Sequence, residues 1–325
     1  MQCRHCETTN PEENLFCEGC GTRVGDAVAA EPVETCACGA PLSEIDEEGF
    51  CGGCGRRLKR PPEDHIEIEL LPDFAGVSDR GLRHSRNEDR FALTRSGNSY
   101  ALIVCDGVSM SPDADQASSV AVQAALQTFD EGFAKPVFDP RTLLHAAIAS
   151  AVRSVTDLGK KHSESPSTTL VAAVVSENKL TVGWLGDSRA YWIVADDAQQ
   201  ITRDHSWLNS PAGQQAGAGA QKSSNAHALT RWVGADAEAE DLEPDIFQQD
   251  LKGGGLLLLC SDGLWNYTND SQAMAKLVKR SNTPGASALS LSRDLVEFAR
   301  SQGGHDNITA LVLRHPVSED HSHGG

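Results

Sequence analysis

The sequence predicts an α+β fold preceded by a cysteine-rich segment, and three observations carry that expectation. From about residue 66 onward, strand-sized apolar runs alternate with long stretches of helical spacing. Two of those runs, 170–175 and 180–185, are joined by a short turn containing Glu177 and Asn178. Such a turn makes a hairpin, and hence antiparallel pairing, a better fit than a doubly wound parallel sheet. Before residue 60 there is almost no hydrophobic periodicity, while eight of the ten cysteines fall within the first 54 residues.

Taken in order, strands are expected at 100–105, 170–175, 180–185, 190–194, 256–260 and 308–313, on length and β-branched content. Helices are expected at 114–129, 141–161, 272–279 and 286–301, where Ala, Leu, Val and Phe recur at helical spacing. The stretch 209–226, rich in Gly, Ala, Ser and Gln, reads as a long loop or flap, and the tail 316–325 as disordered. Linkers at 25–34 and 61–66 separate two small units, 1–24 and 35–60, from a main domain at 67–315.

A chain of 325 residues has room for one large core plus something small, and 39% hydrophobic with 23% charged residues is an ordinary globular composition. No apolar run approaches the roughly 20 residues of a membrane span, and the first 20 residues are too polar for a secretory signal. A cytoplasmic protein with no membrane contact is expected. A net charge of −18 argues against nucleic acid as partner, since phosphate backbones are bound through an excess of Lys and Arg.

Cys3-x2-Cys6 followed ten residues later by Cys17-x2-Cys20 supplies four thiolates, the ligand set of a closed structural zinc site. Cys36-x-Cys38 and Cys51-x2-Cys54 form a second set, one residue shorter in its first pair. Gly21 and Gly55 follow the second pair of each set, and Gly39 follows the first pair of the second set, where tight knuckles need them. Together the two units resemble tandem zinc ribbons with two structural Zn²⁺ ions. Residues 1–60 hold 6 Lys and Arg against 11 Asp and Glu, so protein docking or regulation is the expected role.

Four Asp residues sit in short turns beside apolar strands: Asp106-Gly107, Gly186-Asp187, Asp262-Gly263 and Gly304-His305-Asp306. One alone is most simply a turn former. Four in one domain suggest strand ends converging on a single site, where carboxylates repel unless hard cations lie between them.

On its motifs the sequence resembles the metal-dependent protein phosphatase family, also called protein phosphatase 2C, in its bacterial form. The motifs are 78–89 (SDRGLRHSRNED), Asp106-Gly107, 167–170 (STTL), 186–191 (GDSRAY), 202–206 (TRDHS), 261–264 (SDGL) and 305–308 (HDNI), in the family's order over about 74–313. The resemblance implies two antiparallel sheets in a sandwich, helices on both outer faces, and a binuclear Mg²⁺ or Mn²⁺ centre at one end. It implies that Asp106 bridges the metals and the Gly107 carbonyl binds one of them. Asp262 and Asp306 would complete the other, and Glu88 and Asp89 would position both, directly or through water. Asp187 matches a third-metal ligand. The implied activity is hydrolysis of phosphoserine and phosphothreonine in proteins by a hydroxide shared between the metals, in opposition to a Ser/Thr kinase.

Several positions depart from the family pattern. His84 stands where an Arg often holds the substrate phosphate, so it is expected either to contact the phosphate or to be a solvated surface residue. With Asp106, Asp262 and Asp306 it makes up the candidate catalytic set. Val108 replaces a His that acts as general acid in eukaryotic members, and Ser109-Met110 replaces a Gly pair at the entrance. Asn266 replaces an Asp that supports the third metal, which makes that site weak or absent. Cys105 and Cys260 adjoin proposed ligands, and read either as small buried strand residues or as peroxide-sensitive thiols. Two other classes stay open at this level: a phosphatase-like sensor without turnover, and a zinc-ribbon adaptor. A chain without turnover has no chemical need for Asp106, Asp262 and Asp306 together.

Overall fold

The computed structural model describes residues 2, 9, 36, 38–41, 51–55, 62–160, 165–217, 225–268, 270–283 and 285–316. The chain divides into two units, Met1–Pro62 and Glu63–Gly325. In the second unit the first four strands are β1 (His65–Leu71), β2 (Phe74–Asp79), β3 (Arg90–Ser96) and β4 (Ser99–Cys105). Two long helices follow, α1 (Ala114–Phe133) and α2 (Pro140–Gly159). Next come β5 (Ser167–Thr168), β6 (Leu170–Ser176), β7 (Lys179–Leu185), β8 (Arg189–Val194), β9 (Asp197–Gln200), the short α3 (Pro211–Gln215), β10 (Val233–Gly234) and β11 (Asp245–Asp250). The unit closes with β12 (Gly255–Cys260), the one-turn α4 (Asp262–Trp265), α5 (Ser271–Ser281), α6 (Ala288–Ser301) and β13 (Ile308–His315).

Among the described residues these strands form a six-stranded sheet in the order β1-β2-β13-β12-β8-β9 and a five-stranded sheet in the order β11-β7-β6-β4-β3. β5 and β10 form a small ribbon. All pairings are antiparallel. The β6–β7 hairpin turns at Glu177 and Asn178, with Ser176 opposite Lys179 and Glu177 at φ 54°.

Why the central strands read as unbroken apolar runs follows from their two buried faces. On β4, Leu102 and Val104 point into the layer between the sheets, where they meet Phe74, Val171, Leu257 and Leu311. Ala101, Ile103 and Cys105 point the other way, into the layer formed with α1 and α2 around Phe129, Leu144 and Ile148. β12 alternates likewise: Leu257 and Leu259 face the other sheet, while Leu256, Leu258 and Cys260 face α5 and α6 with Met274, Leu291 and Leu295. The result is the four-layer arrangement that the resemblance implies.

The long helices begin where their caps dictate. Asp139 accepts from the Thr142 amide at 2.7 Å ahead of Pro140, so α2 starts one residue earlier than its apolar spacing suggests. Ser287 accepts from the Ser290 amide and delays α6 to Ala288. The flap region is not all loop, because α3 and a 3₁₀ turn at Trp207–Asn209 occupy its start. None of the helices among the described residues is long and apolar enough to cross a membrane.

At the outer edge, β1 is tied down by His65, whose Nδ1 lies 2.8 Å from Asp79 Oδ2 and whose Nε2 lies 3.0 Å from Glu67 Oε1. The hydrogen bond to Asp79 is the main reason the His65 pKa is raised above its ordinary 6.5. A raised folded-state pKa means this contribution is present in full below about pH 6.5 and is lost as pH rises through the folded value. His65→Gln is therefore expected to cost up to about 1 kcal/mol at pH 5.5, given the half-exposed ring, and much less at pH 8.5. Urea unfolding at the two pH values measures this, and an equal cost at both would remove the charge argument.

In the first unit, Gln2 and Thr9 form an antiparallel bridge. Cys3, Cys6, Cys17 and Cys20 lie outside the described residues. The second cysteine set is described. Its four Sγ atoms all lie within 4.8 Å of one another, with Cys36 to Cys54 at 3.5 Å and Cys38 to Cys51 at 3.6 Å. Zn–S bonds of about 2.3 Å in a tetrahedron place sulfurs about 3.8 Å apart, so this set fits one zinc ion. The knuckles close through Gly39 N–H to Cys36 O and Gly55 N–H to Cys51 O, at φ 86° and 70°, which glycine adopts freely.

Candidate metal centre

Strand register carries the acidic residues to one edge of the sandwich. Asp106 follows the last residue of β4, whose Cys105 is opposite Arg90, so Asp89 just before β3 is its neighbour. Asp187 lies two residues past β7 and two before β8, and Cys260 of β12 is opposite both Arg189 and Ala310. That register puts Asp262, at the head of α4, beside Asp187 and near Asp306, which precedes β13. Gly263 is part of the close fit here, because a Cβ on it would collide with the Asn307 carbonyl.

Four of these carboxylates are raised by burial and by acidic neighbours. Burial, then the charges of Asp89, Asp262, Asp306 and Asp187, pushes Asp106 well above the usual carboxylate range. Asp262 is pushed up in the same way by burial and by Asp187, Asp306 and Asp89. Burial raises Asp89 to about 6 and Asp187 to about 7, the latter with help from Asp204. No basic side chain forms an ion pair with Asp89, Asp106, Asp187 or Asp262 among the described residues. Glu88 Oε2 and Asp89 Oδ1 are buried without a hydrogen-bond partner. Buried carboxylates with orphaned oxygens and too little positive charge beside them are a donor set that hard divalent ions satisfy, so these residues fit Mg²⁺ or Mn²⁺.

Residues to which the sequence reasoning gave no role hold the cluster in place. Asp89 Oδ2 accepts from Ser261 Oγ and Thr309 Oγ1, both at 2.7 Å. Asn307 accepts from the Glu88 amide at 2.7 Å and donates to the carbonyls of Arg80 and Arg86, clamping the 80–88 loop. Arg189 pairs in two-pronged fashion with Asp204 and lies over the Trp265 ring at 3.5 Å, while the Trp265 indole donates to the Asp187 carbonyl. Ser261, Asn307, Arg189 and Asp204 stand inside the motifs, and their residue types were the available signal. Thr309 and Trp265 carried none.

His84 does reach the cluster, with Nε2 3.2 Å from Asp306 Oδ1. Val108 brings no acid, and Asn266 donates to Asp262 Oδ2 at 3.2 Å. Cys105 and Cys260 are fully buried against the helices, and burial pushes both thiols up. That favours the small-packing-residue expectation over peroxide sensitivity, because the thiolate is the reactive form.

A two-sheet sandwich with outer helices and an edge lined by converging carboxylates defines a class of metal-dependent hydrolase folds. The family model described as protein phosphatase 2C matches residues 80–299. The chain is 27% identical over 249 residues to the serine/threonine phosphatase stp of Listeria monocytogenes, which spans 74% of this chain and 95% of that protein. The PPM Ser-Thr phosphatase MsPP of Mycobacterium smegmatis, solved in complex with cacodylate, is 30% identical with a TM-score of 0.58, over 74% of this chain and 97% of its own. The catalytic domain of the phosphatase PstP, solved with two manganese ions, is 26% identical with a TM-score of 0.58, over 74% and 97% of the two chains. This chain belongs to the protein phosphatase 2C family.

Proposed function

We propose that the chain is a phosphoserine/phosphothreonine protein phosphatase working with two Mn²⁺ or Mg²⁺ ions. The single observation that carries this is the convergence of Asp89, Asp106, Asp187, Asp262 and Asp306, from both sheets, at one edge. The two manganese ions of the PstP catalytic domain support it. Asp106, the Gly107 carbonyl, Asp262 and Asp306 hold the ions, Glu88 and Asp89 position them, and Asp187 offers a weak third place. Once bound, such a pair neutralises phosphoryl oxygens and lowers the pKa of water, which supplies the nucleophile. Neither Cys105 nor Cys260, the two cysteines that adjoin the acidic residues, is placed as a nucleophile, since both are sealed against helices. With Val108 unable to donate, His84 Nε2 or a water protonates the leaving oxygen.

The substrates are phosphoproteins, and the opposing enzyme is a Ser/Thr kinase. The catalytic domain spans 67–315, preceded by zinc ribbons at 1–24 and 35–60 that dock partners or regulate turnover. One Zn²⁺ is held by Cys36, Cys38, Cys51 and Cys54, and a second by Cys3, Cys6, Cys17 and Cys20.

Hydrolysis of an aryl phosphate and a phosphothreonine peptide tests this with Mn²⁺, Mg²⁺ or a chelator. Turnover with the metals and none with chelator is expected. Folded, metal-loaded protein that turns over neither substrate would overturn the proposal. His84→Ala is expected to raise KM for the phosphopeptide about tenfold, the scale of one charge-assisted hydrogen bond, with a smaller change in kcat. Unchanged kinetics would leave His84 a solvated surface residue.

A further inference from the structure

We propose that a cleft beside the carboxylate centre is a subsite for one large apolar side chain flanking the phosphorylated residue, with Trp232 and Met110 as its walls. This rests on the phosphatase reading and adds to it a preference among protein substrates.

The cleft has a volume of about 370 Å³ and is lined by Val108, Met110, Leu229 and Trp232, with Ser167 and Asp236 at its edge. Its size falls at the lower end of ligand clefts, suited to one bulky side chain. Val108 is two residues from Asp106, so the backbones of the two lie within about 7 Å. A side chain next to a phosphoresidue on the carboxylate centre falls within that distance, because neighbouring residues in an extended peptide are about 3.8 Å apart.

The walls are held by the small β5–β10 ribbon and the residue after it, to which the backbone of Asp106 is also hydrogen-bonded. Val108 N–H donates to Ser167 O at 2.9 Å, and Thr169 N–H to Asp106 O at 2.7 Å. On the other side Val233 and Gly234 pair with Thr168 and Ser167, fixing the backbone that follows Trp232. The Ala235 amide donates to Ser165 Oγ at 2.8 Å, and the Trp232 indole N–H donates to Asp236 Oδ1 at 3.2 Å. Subsite and Asp106 are thus tied to each other through one hydrogen-bonded ribbon, and held side chains recognise more precisely than loose ones.

The chemistry of the lining selects the occupant. Among the described residues Asp236 is the one ionisable group lining the cleft, and its Oδ1 is already taken up by the Trp232 indole and by Ser167 Oγ at 3.5 Å. Ser111, Ser165 and Ser167 also line the cleft, but their hydroxyls bond the Val108 carbonyl, the Ala235 amide and the Ser165 carbonyl respectively, so an incoming residue meets mainly the indole, the thioether and the carbons of Val108, Pro112 and Leu229. Met110 is 99% exposed, an unbranched, polarisable side chain standing at the rim with nothing over it. A Leu, Met or Phe beside the phosphoresidue would cover it and be covered in turn, whereas a Ser or Asp would gain nothing.

The test compares two phosphothreonine peptides that differ only at the two positions flanking the phosphothreonine, Leu in one and Ser in the other. Their kcat/KM ratio is measured with Mn²⁺ on the full-length protein, on Trp232→Ala and on Met110→Gly, with an aryl phosphate as reference substrate for the wild type. The wild type is expected to favour the Leu peptide by about tenfold, mostly through KM. Trp232→Ala should bring the ratio close to one, and Met110→Gly should lower it severalfold. Because the readout is a ratio, a loss of turnover common to both peptides cancels. Met110 is exposed, so its substitution tests the subsite even if Trp232→Ala fails to fold. A wild-type ratio near one alongside aryl phosphate turnover, or a ratio that survives both substitutions, overturns the subsite and leaves the phosphatase reading standing. Absence of aryl phosphate turnover overturns the phosphatase reading, and the subsite with it.

Discussion

Asp106→Asn is expected to melt at a higher temperature than the wild type when both are metal-free, and to lose at least ~10³-fold of its Mn²⁺-dependent turnover. Without a cation, Asp106 is the carboxylate most hemmed in, raised by burial and by four acidic neighbours. A carboxyl whose folded-state pKa exceeds its unfolded one binds protons more tightly when folded, so the metal-free fold loses stability as pH rises. For Asp89 and Asp187 that loss runs from about pH 4 up through about 6 and about 7. An amide at 106 removes one charge from the repulsion while keeping the shape, and the metal-free melting temperature at pH 8 should rise by a few degrees, at roughly 2–4 °C per kcal/mol for a domain of this size. Saturating Mn²⁺ should reverse the order, because the wild type gains more from binding. Thermal melts in chelator and in Mn²⁺ decide the matter. A metal-free Asp106→Asn that melts below the wild type would show that the acidic cluster is not under electrostatic strain.

Cys51→Ser should remove one of the two zinc equivalents proposed above and leave aryl phosphate turnover in place. Cys51 is buried in its knuckle with its Sγ 3.6 Å from that of Cys38, and a serine hydroxyl replaces a thiolate there. Structural zinc in small modules is worth about 10–16 kcal/mol of folding energy at pH 7, so the loss of one ligand from four is severe. The acidic residues all belong to the Glu63–Gly325 unit, and Cys51 to the other. Zinc content after gel filtration, measured beside turnover, checks both halves. Undiminished zinc in the variant would mean that these four sulfurs are not the ligands.

Most of what the sequence made legible follows from burial, although β2, central and buried, was hidden because Gly76, Ser78 and Asp79 interrupt its apolar run. β4, β6, β7, β8, β12 and β13 lie inside sheets or cover both faces, so their apolar runs are unbroken and easily read. β11 is an edge strand of sequence Asp-Ile-Phe-Gln-Gln-Asp, and β9 is an edge strand of four residues. Neither has enough one-sided burial to impose a pattern. β1 does alternate at first, with Ile66 and Ile68 packed toward the core and His65, Glu67 and Glu69 outward, but the adjacent Leu70 and Leu71 break the alternation. In the site, Asp106, Asp187, Asp262 and Asp306 were marked by their neighbouring glycines. The hydroxyls that hold Asp89 were not, because Ser261 and Thr309 lie 172 and 220 residues away in the chain. A Ser or Thr in a strand looks the same whether or not a carboxylate waits opposite it.

The place of β13 has a bearing on how the protein is made. It sits between β2 and β12, so the six-stranded sheet is split until the last strand arrives. Asp306 and Thr309 arrive with it, and so does the register that sets Asp89 against β12. On the ribosome, the five-stranded sheet with α1 and α2 can pair from residues 90–250 as they emerge, whereas the other sheet waits for residue 308 and beyond. A nascent chain therefore carries an unpaired β2 edge and an incomplete acidic cluster through most of its synthesis. The acidic cluster is therefore complete only once residues 306–309 have been made.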